Sequence, residues 1–382
     1  MIRVSLALVL ACGVAVADDK QSPADKLAAI QKAHKDAEAA FRKSTQDIKN
    51  DAEGQKKYGE LYKDYDKGQG DRFMAAVEVA KADPKADVAI PALEWVLTIP
   101  RSYYLPAGAA AMDEVTKHHA ANPKVGKLTA WVGNFPPNEK FNPKEAAAAQ
   151  AMIDAVLKTN PDKEARAQAA LAKATAAKRK ADTAAYESAP DADKLAAAAE
   201  AEYEALVKEY GDAPRLAREK SGTVGELAKS ELFELRNLRV GKVAPEIEAD
   251  GVDGKKFKLS DHRGKVVAVV FWGTWCGPCM ADVPHEREMT ERLHGKPFTI
   301  VGINSDDKRE KAVETMAKEK MTWPSFWNGE EGPGGPIAKA WNVRAWPTVY
   351  VLDAKGVIRF KGPRGKLLEE KVNVLLAEME KQ

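Results

Sequence analysis

The chain has 382 residues, with 59 Lys+Arg against 57 Asp+Glu and a formal net charge of +2. That length suggests two or three domains, and 45% hydrophobic with 30% charged residues is a globular composition, not a disordered or membrane-embedded one. The near-zero charge balance gives no case for nucleic-acid binding, and three cysteines exclude a disulfide-stapled scaffold and a four-thiolate zinc site.

Residues 1–17 hold one early Arg3 and an uncharged apolar run from Val4 to Ala17, followed by Asp18-Asp19-Lys20. The run is shorter than the roughly 20 apolar residues of a spanning helix. Ala15-Val16-Ala17 supplies a small-x-small cleavage pattern, so residues 1–17 are predicted to be a secretory signal. The alternatives are a short buried helix, or a lipoprotein box at Val9-Leu10-Ala11-Cys12 with Cys12 lipidated. Cleavage would leave only Cys276 and Cys279, in a compartment where disulfides persist.

From residue 18 to 238 the sequence is rich in Ala, Lys and Glu and predicts an all-α region. Helices are expected over Pro23 to Asn50, Asp71 to Ala82, Val88 to Ile99, Leu105 to Ala121, Pro143 to Lys158, Asp162 to Glu187, Asp191 to Tyr210 and Gly222 to Leu238. Breaks fall at Asp83-Pro84, Pro100, Asn122-Pro123, Pro136-Pro137, Asn160-Pro161 and Gly211-Asp212-Ala213-Pro214. The texture resembles the helix pairs of tetratricopeptide-type repeats, with an irregular bundle as the competing architecture, because no strict 34-residue period fits. The adjacent His118 and His119 are expected on the surface. Nothing in this region carries chemistry, so a protein partner is its expected ligand.

Near Gly241 strand-like and helix-like segments begin to alternate, which predicts a separate α/β domain over 239–382. Ala249 to Ser260 reads as a hairpin turning at Asp253-Gly254, and Lys265 to Phe271 as a central buried strand. A helix is expected from Cys276 to His294. Then come a strand at Phe298 to Ile303, a helix at Asp307 to Lys320, and strands at Trp346 to Leu352 and Val357 to Lys361. A helix from Leu367 to Lys381 closes the chain. Six of eight tryptophans lie in this stretch: Trp272, Trp275, Trp323, Trp327, Trp341 and Trp346.

Cys276-Gly277-Pro278-Cys279 follows directly on the buried strand and opens a helix. There the unpaired N–H groups and the dipole favour a thiolate at Cys276, and Cys279 lies one turn in. Pro278 costs nothing in a first turn. Haem attachment needs His where Met280 stands; zinc needs two more ligands than the chain offers, His285 being insufficient alone; a structural disulfide would close a tiny loop. Redox exchange is the predicted chemistry, with no cofactor and no metal.

Residues from about Val240 to the C-terminus resemble the exported thioredoxin-like proteins of the TlpA/ResA type, within the redoxin (AhpC/TSA) superfamily. The resemblance rests on Gly241-Lys242-Val243-Ala244-Pro245, on Leu259-Ser260-Asp261-His262-Arg263-Gly264-Lys265, on Trp275 with the Cys-Gly-Pro-Cys site, and on Trp346-Pro347-Thr348. It covers only the last ~140 residues. It implies a mixed β-sheet flanked by helices, Cys276 as the attacking thiol and Cys279 as the resolving one. Pro347 would be a cis-proline facing the thiols, with Trp346 presenting backbone to an extended substrate beside Gly277 and Pro278. Trp275 would pack by the attacking sulfur. Asp282 occupies the place where relatives carry a proton-handling Glu, but its shorter side chain leaves a plain helix-start carboxylate as the alternative. Thioredoxin's buried strand Asp is replaced here by Val270.

By the resemblance, the chain is expected to be an extracytoplasmic thiol:disulfide oxidoreductase acting on protein disulfides and re-reduced by a membrane electron donor. Gly277-Pro278 matches thioredoxin, whose potential of about −270 mV is that of a reductant. The competing readings are a thiol peroxidase of the same superfamily and a helical-repeat binding protein with an inactive redox module.

Overall fold

The computed structural model describes residues 21–134, 141–216 and 222–381. The predicted signal of residues 1–17, with Cys12, and the Pro136-Pro137 break lie outside the described residues. The helical region comprises α1 (Pro23–Thr45), α2 (Ala52–Ala82), α3 (Ala89–Leu97), α4 (Pro106–Glu114), α5 (Gly126–Asn134), α6 (Pro143–Thr159), α7 (Lys163–Tyr186), α8 (Ala192–Tyr210) and α9 (Val224–Asn237). The chain gathers into two compact units, one of residues up to 176 with 205–226, the other of 177–204 with 227–382.

In the first unit α2 packs on α1, α3 and α4, and α4 packs on α6. Its core joins Phe73, Leu93, Leu97, Tyr103, Met112, Leu128 and Met152 with many alanines. Helix α2 starts at Ala52, far before the expected Asp71. Its early turns carry Tyr58, Leu61, Tyr62 and Tyr65 at helical spacing among many charges, with three of these rings packed on Phe41 of α1, and the start is fixed by the Asp51 carboxylate accepting from Gly54 N at 2.8 Å. Helix α5, which begins at Gly126 and includes Gly133, was not among the expected helices. The role of the two glycines is close approach: a Cβ on Gly133 would lie 2.5 Å from that of Ala172 on α7. The surface expectation for the histidine pair holds only for His118. A π turn over Val115–His119 carries His119 inward to 5% exposure, where burial lowers its pKa.

The second unit contains the α/β body. Its strands are β1 (Glu248–Asp250), β2 (Lys256–Lys258), β3 (Val266–Trp272), β4 (Phe298–Asn304), β5 (Ser325–Trp327), β6 (Thr348–Leu352) and β7 (Ile358–Lys361). Its helices are α10 (Gly277–Arg292), α11 (Arg309–Glu319), α12 (Pro336–Ala340) and α13 (Gly365–Met379). The main sheet runs β5-β4-β3-β6-β7, parallel from β5 to β3 and antiparallel from β3 to β7, and β1 and β2 form the predicted hairpin. This is the thioredoxin-like mixed sheet expected from the sequence. Strand β5 and helix α12, each very short, were not anticipated.

Every residue of β3 is buried, so its alternating side chains feed two cores. Val266, Ala268, Val270 and Trp272 face Cys279, Val283 and Met289 of α10 and Leu368, Val372 and Leu376 of α13. Val267, Val269 and Phe271 face the opposite way, toward Trp341, Tyr350, Ile337 and Leu238. That second face is where α9 belongs: Leu238, just past its end, is fully buried there, and Phe233 packs against the same core.

Polar contacts fasten α9 as well. Asn342 Nδ2 donates to Glu234 Oε1 at 2.6 Å, and Arg344 donates to Ser230 Oγ at 2.6 Å and to Glu231 Oε1 at 2.8 Å. On α7, Lys178 meets Asp182, Glu231 and Glu234 at 2.9, 3.4 and 3.3 Å. Burial opposes its charge, but the three carboxylates outweigh it and hold the ammonium above its ordinary pKa. The last residues of the helical region are therefore structural parts of the α/β body.

Candidate active site

Strand β3 ends at Trp272, and α10 begins four residues later with Cys276 as its N-cap. The intervening turn is tight: a Cβ on Gly273 would lie 2.7 Å from the Trp275 ring, so a side chain there would push the indole aside. Cys276 and Cys279 are joined as a disulfide with Cα atoms 5.2 Å apart, and Cys279 N donates to Cys276 Sγ at 3.2 Å. Each is 4% exposed. The first sulfur thus sits among the unpaired amides of a helix start, where negative charge on it is favoured.

Antiparallel pairing sets Thr348 opposite Phe271, so Pro347, one residue before β6, falls beside the strand-to-helix turn. The Trp346–Pro347 peptide bond is cis. Trp275 is 50% exposed, and its ring stands edge-on to that of Trp346 at 5.6 Å between centroids. Trp275, Trp346 and Pro347, from two distant stretches of chain, are therefore gathered around the disulfide. Gly277 has open space around it, and Pro278 lies in the first turn.

Asp282 is held by Arg364, whose Nε donates to Oδ2 at 2.6 Å while its Nη2 donates to the Pro278 carbonyl at 2.9 Å. One guanidinium, from the segment ahead of α13, so links the carboxylate to the Cys-Gly-Pro-Cys turn. Sequence reasoning missed this arginine, since nothing local marks it.

A second acid was also missed. Glu286 lies one turn beyond Asp282 and is 6% exposed, with Cys279, Val283 and Met289 on the same inward face of α10. Burial first, and the nearby Asp282 charge second, push its carboxyl up to about 8 against the opposing pull of Arg364. On the neighbouring α13, Glu369 is engaged by His285 at 3.5 Å and Arg292 at 2.7 Å. An unfolded Glu titrates near 4.5, so the stability linked to the proton on Glu286 is intact below that pH and is lost as pH rises toward 8. The slope approaches about 1.4 kcal/mol per pH unit. Glu286→Leu is expected to flatten it, leaving the variant more stable than wild type at pH 8. Urea midpoints at pH 5 and pH 8 check this, and equal slopes in both proteins would refute it.

Behind the disulfide stands a third unanticipated group. Asn304, Ser305 and Asp306, at the end of β4, are wholly buried and hydrogen-bonded to the turn and its indoles. Among the described residues no three His, Cys, Asp or Glu side chains converge as a metal would need, and no helix is long and apolar enough to cross a membrane.

Residues 240–361 match the AhpC/TSA family. Thiol-disulfide oxidoreductase ResA of Bacillus cereus is 31% identical over 150 residues, which are 38% of this chain and 84% of the relative. Thioredoxin-like protein YneN of Bacillus subtilis is 34% identical over 125 residues, 32% of this chain and 70% of that one. Among solved structures, the thioredoxin domain of a thiol-disulfide oxidoreductase from Bacteroides vulgatus is 26% identical. It covers 37% of this chain and 99% of its own, with a TM-score of 0.34. The helical region before residue 240 lies outside the family match.

Proposed function

Through its C-terminal region the chain belongs to the AhpC/TSA family, among the ResA-type thiol-disulfide oxidoreductases, and from that premise we propose that it reduces protein disulfides outside the cytoplasm. The observation that carries the reading is the Cys276–Cys279 pair at a helix start, flanked by the exposed Trp275 and the cis Pro347. In the reduced form, the Cys276 thiolate attacks one sulfur of a substrate disulfide. A Cys276–substrate bond forms, and the other substrate sulfur leaves as a thiolate that takes up a proton. The Cys279 thiolate then attacks Cys276 Sγ and expels the second substrate thiolate. Two electrons pass to the substrate, and the chain is left with the disulfide between Cys276 and Cys279.

A dithiol donor in the membrane closes the cycle by the reverse exchange. Cys276 and Cys279 act as attacking and resolving thiols, and the backbone at Trp346, ahead of Pro347, pairs with an extended substrate segment passing over Gly277 and Pro278. Asp282, steadied by Arg364, is assigned the proton at Cys279. The Gly277-Pro278 pair supports a reductant, and the leader-like residues 1–17 support export. The helical region up to 238 is assigned to partner choice.

Cys279→Ser tests the assignment, because without a resolving thiol the Cys276–substrate disulfide should persist. Mixed disulfides sensitive to dithiothreitol are expected with the single variant and absent from Cys276→Ser/Cys279→Ser. Failure to accumulate any with an oxidised protein substrate would remove the exchange mechanism.

A further inference from the structure

The polar stretch Asn304-Ser305-Asp306 is fully buried, which costs several kcal/mol unless each group is partnered. Its partners are the redox turn, the indoles around it and Asn328, whose Nδ2 lies 3.5 Å from Ser305 Oγ. Strands β3 and β4 are parallel neighbours with Trp272 opposite Asn304, so the segments leaving them emerge side by side. The Asp306 carboxylate accepts from Thr274 N at 3.1 Å, from Thr274 Oγ1 at 2.6 Å and from Asn304 Nδ2 at 2.6 Å. Trp327 Nε1 donates to the Asp306 carbonyl at 3.1 Å. Ser305 stands between the two halves of the site: its carbonyl accepts from Trp275 Nε1 at 3.3 Å, and its hydroxyl accepts from Trp346 Nε1 at 3.1 Å.

We propose that Ser305 is a positioning residue for disulfide exchange, the shared acceptor that holds the touching rings of Trp275 and Trp346 in one frame beside the Cys276–Cys279 pair. The proposal rests on the exchange reading of that pair. A large indole anchored at its N–H and wet at its far edge is a stiff contact surface. Here one such ring precedes the attacking cysteine and the other precedes the cis-proline, and both hang from one residue. A polypeptide that pairs with the backbone at Trp346 displaces that indole, and Ser305 passes the displacement to Trp275. A small disulfide, which reaches only the sulfur, does not use the frame. Ser305 thereby favours extended protein substrates over small ones.

Ser305→Ala removes the acceptor for Trp346 and leaves the carbonyl acceptor of Trp275 in place; Ser305→Thr restores a hydroxyl. Loss of one such hydrogen bond is expected to raise the KM for insulin disulfides roughly fivefold. The rate with 5,5′-dithiobis(2-nitrobenzoate) should stay within about twofold of wild type, as for a contact that the small disulfide does not engage. Ser305→Thr should recover most of the difference. Indole N–H exchange, with resonances assigned by Trp275→Phe and Trp346→Phe, should quicken for both rings in Ser305→Ala. An unchanged KM, an equal loss on both substrates, or faster exchange at Trp346 alone would overturn the frame. A wild-type chain that reduces neither substrate would instead overturn the exchange reading, and the proposal with it.

Discussion

A chain that begins at residue 239 is expected to melt about 10 °C below the α/β body of the full-length protein. The cut follows the change of texture in the sequence and the start of the family match, yet it removes Leu238 and Phe233 from the core formed by Trp341, Tyr350 and Phe271. A fully buried Leu contributes about 1.5–3 kcal/mol, and the partly buried Phe adds to it. The cut also strips Asn342 and Arg344 of Ser230, Glu231 and Glu234. A loss of about 3–5 kcal/mol converts to roughly 10 °C for a body of this size. Six of the eight tryptophans lie beyond residue 239, so tryptophan fluorescence follows this body in both chains. A truncated chain that melts with the full-length transition would show that α9 merely lies on the sheet.

Replacing Cys276 with Ser is expected to abolish insulin reduction, by at least about a thousandfold, since a hydroxyl with no activating base does not attack a disulfide. The fold should survive, because Cys276 is the N-cap of α10 and serine is among the best N-capping residues. Loss of activity at an unchanged melting temperature therefore assigns the effect to chemistry. Reduction at the wild-type rate by Cys276→Ser would sink the assignment of the attacking thiol.

The redox turn was legible because its signals are local: an unbroken apolar run into Cys276, a helix start, and a proline beside a strand. The buried polar groups were not. Asn304-Ser305-Asp306 falls unremarked between an expected strand and an expected helix, because its burial depends on reciprocal hydrogen bonds to Thr274, Trp275 and Trp346 from other parts of the chain. Glu286 lies in a charged stretch that suggests a solvated helix. Only the inward spacing of Cys279, Val283 and Met289 gives its direction away. Helix α9, with three Glu and three Leu, reads as one more amphipathic helix of the helical region, and no compositional cue tells which core its apolar face joins.

The site is written in three instalments: Cys276 and Cys279 on leaving β3, Ser305 after β4, and Pro347 before β6. Because β3 is the middle strand of the sheet and the first of its strands in the chain, its partners β4 and β6 both come from later in the chain. During synthesis the two cysteines therefore emerge well before Pro347 and the strand that follows it, and such non-local pairing forms slowly. For that interval the thiols precede the residues that stand around them in the folded chain, Ser305, Trp346 and Pro347 among them. Assembly of the site consequently has an order: the last hundred residues must arrive before the surroundings of the thiols are complete.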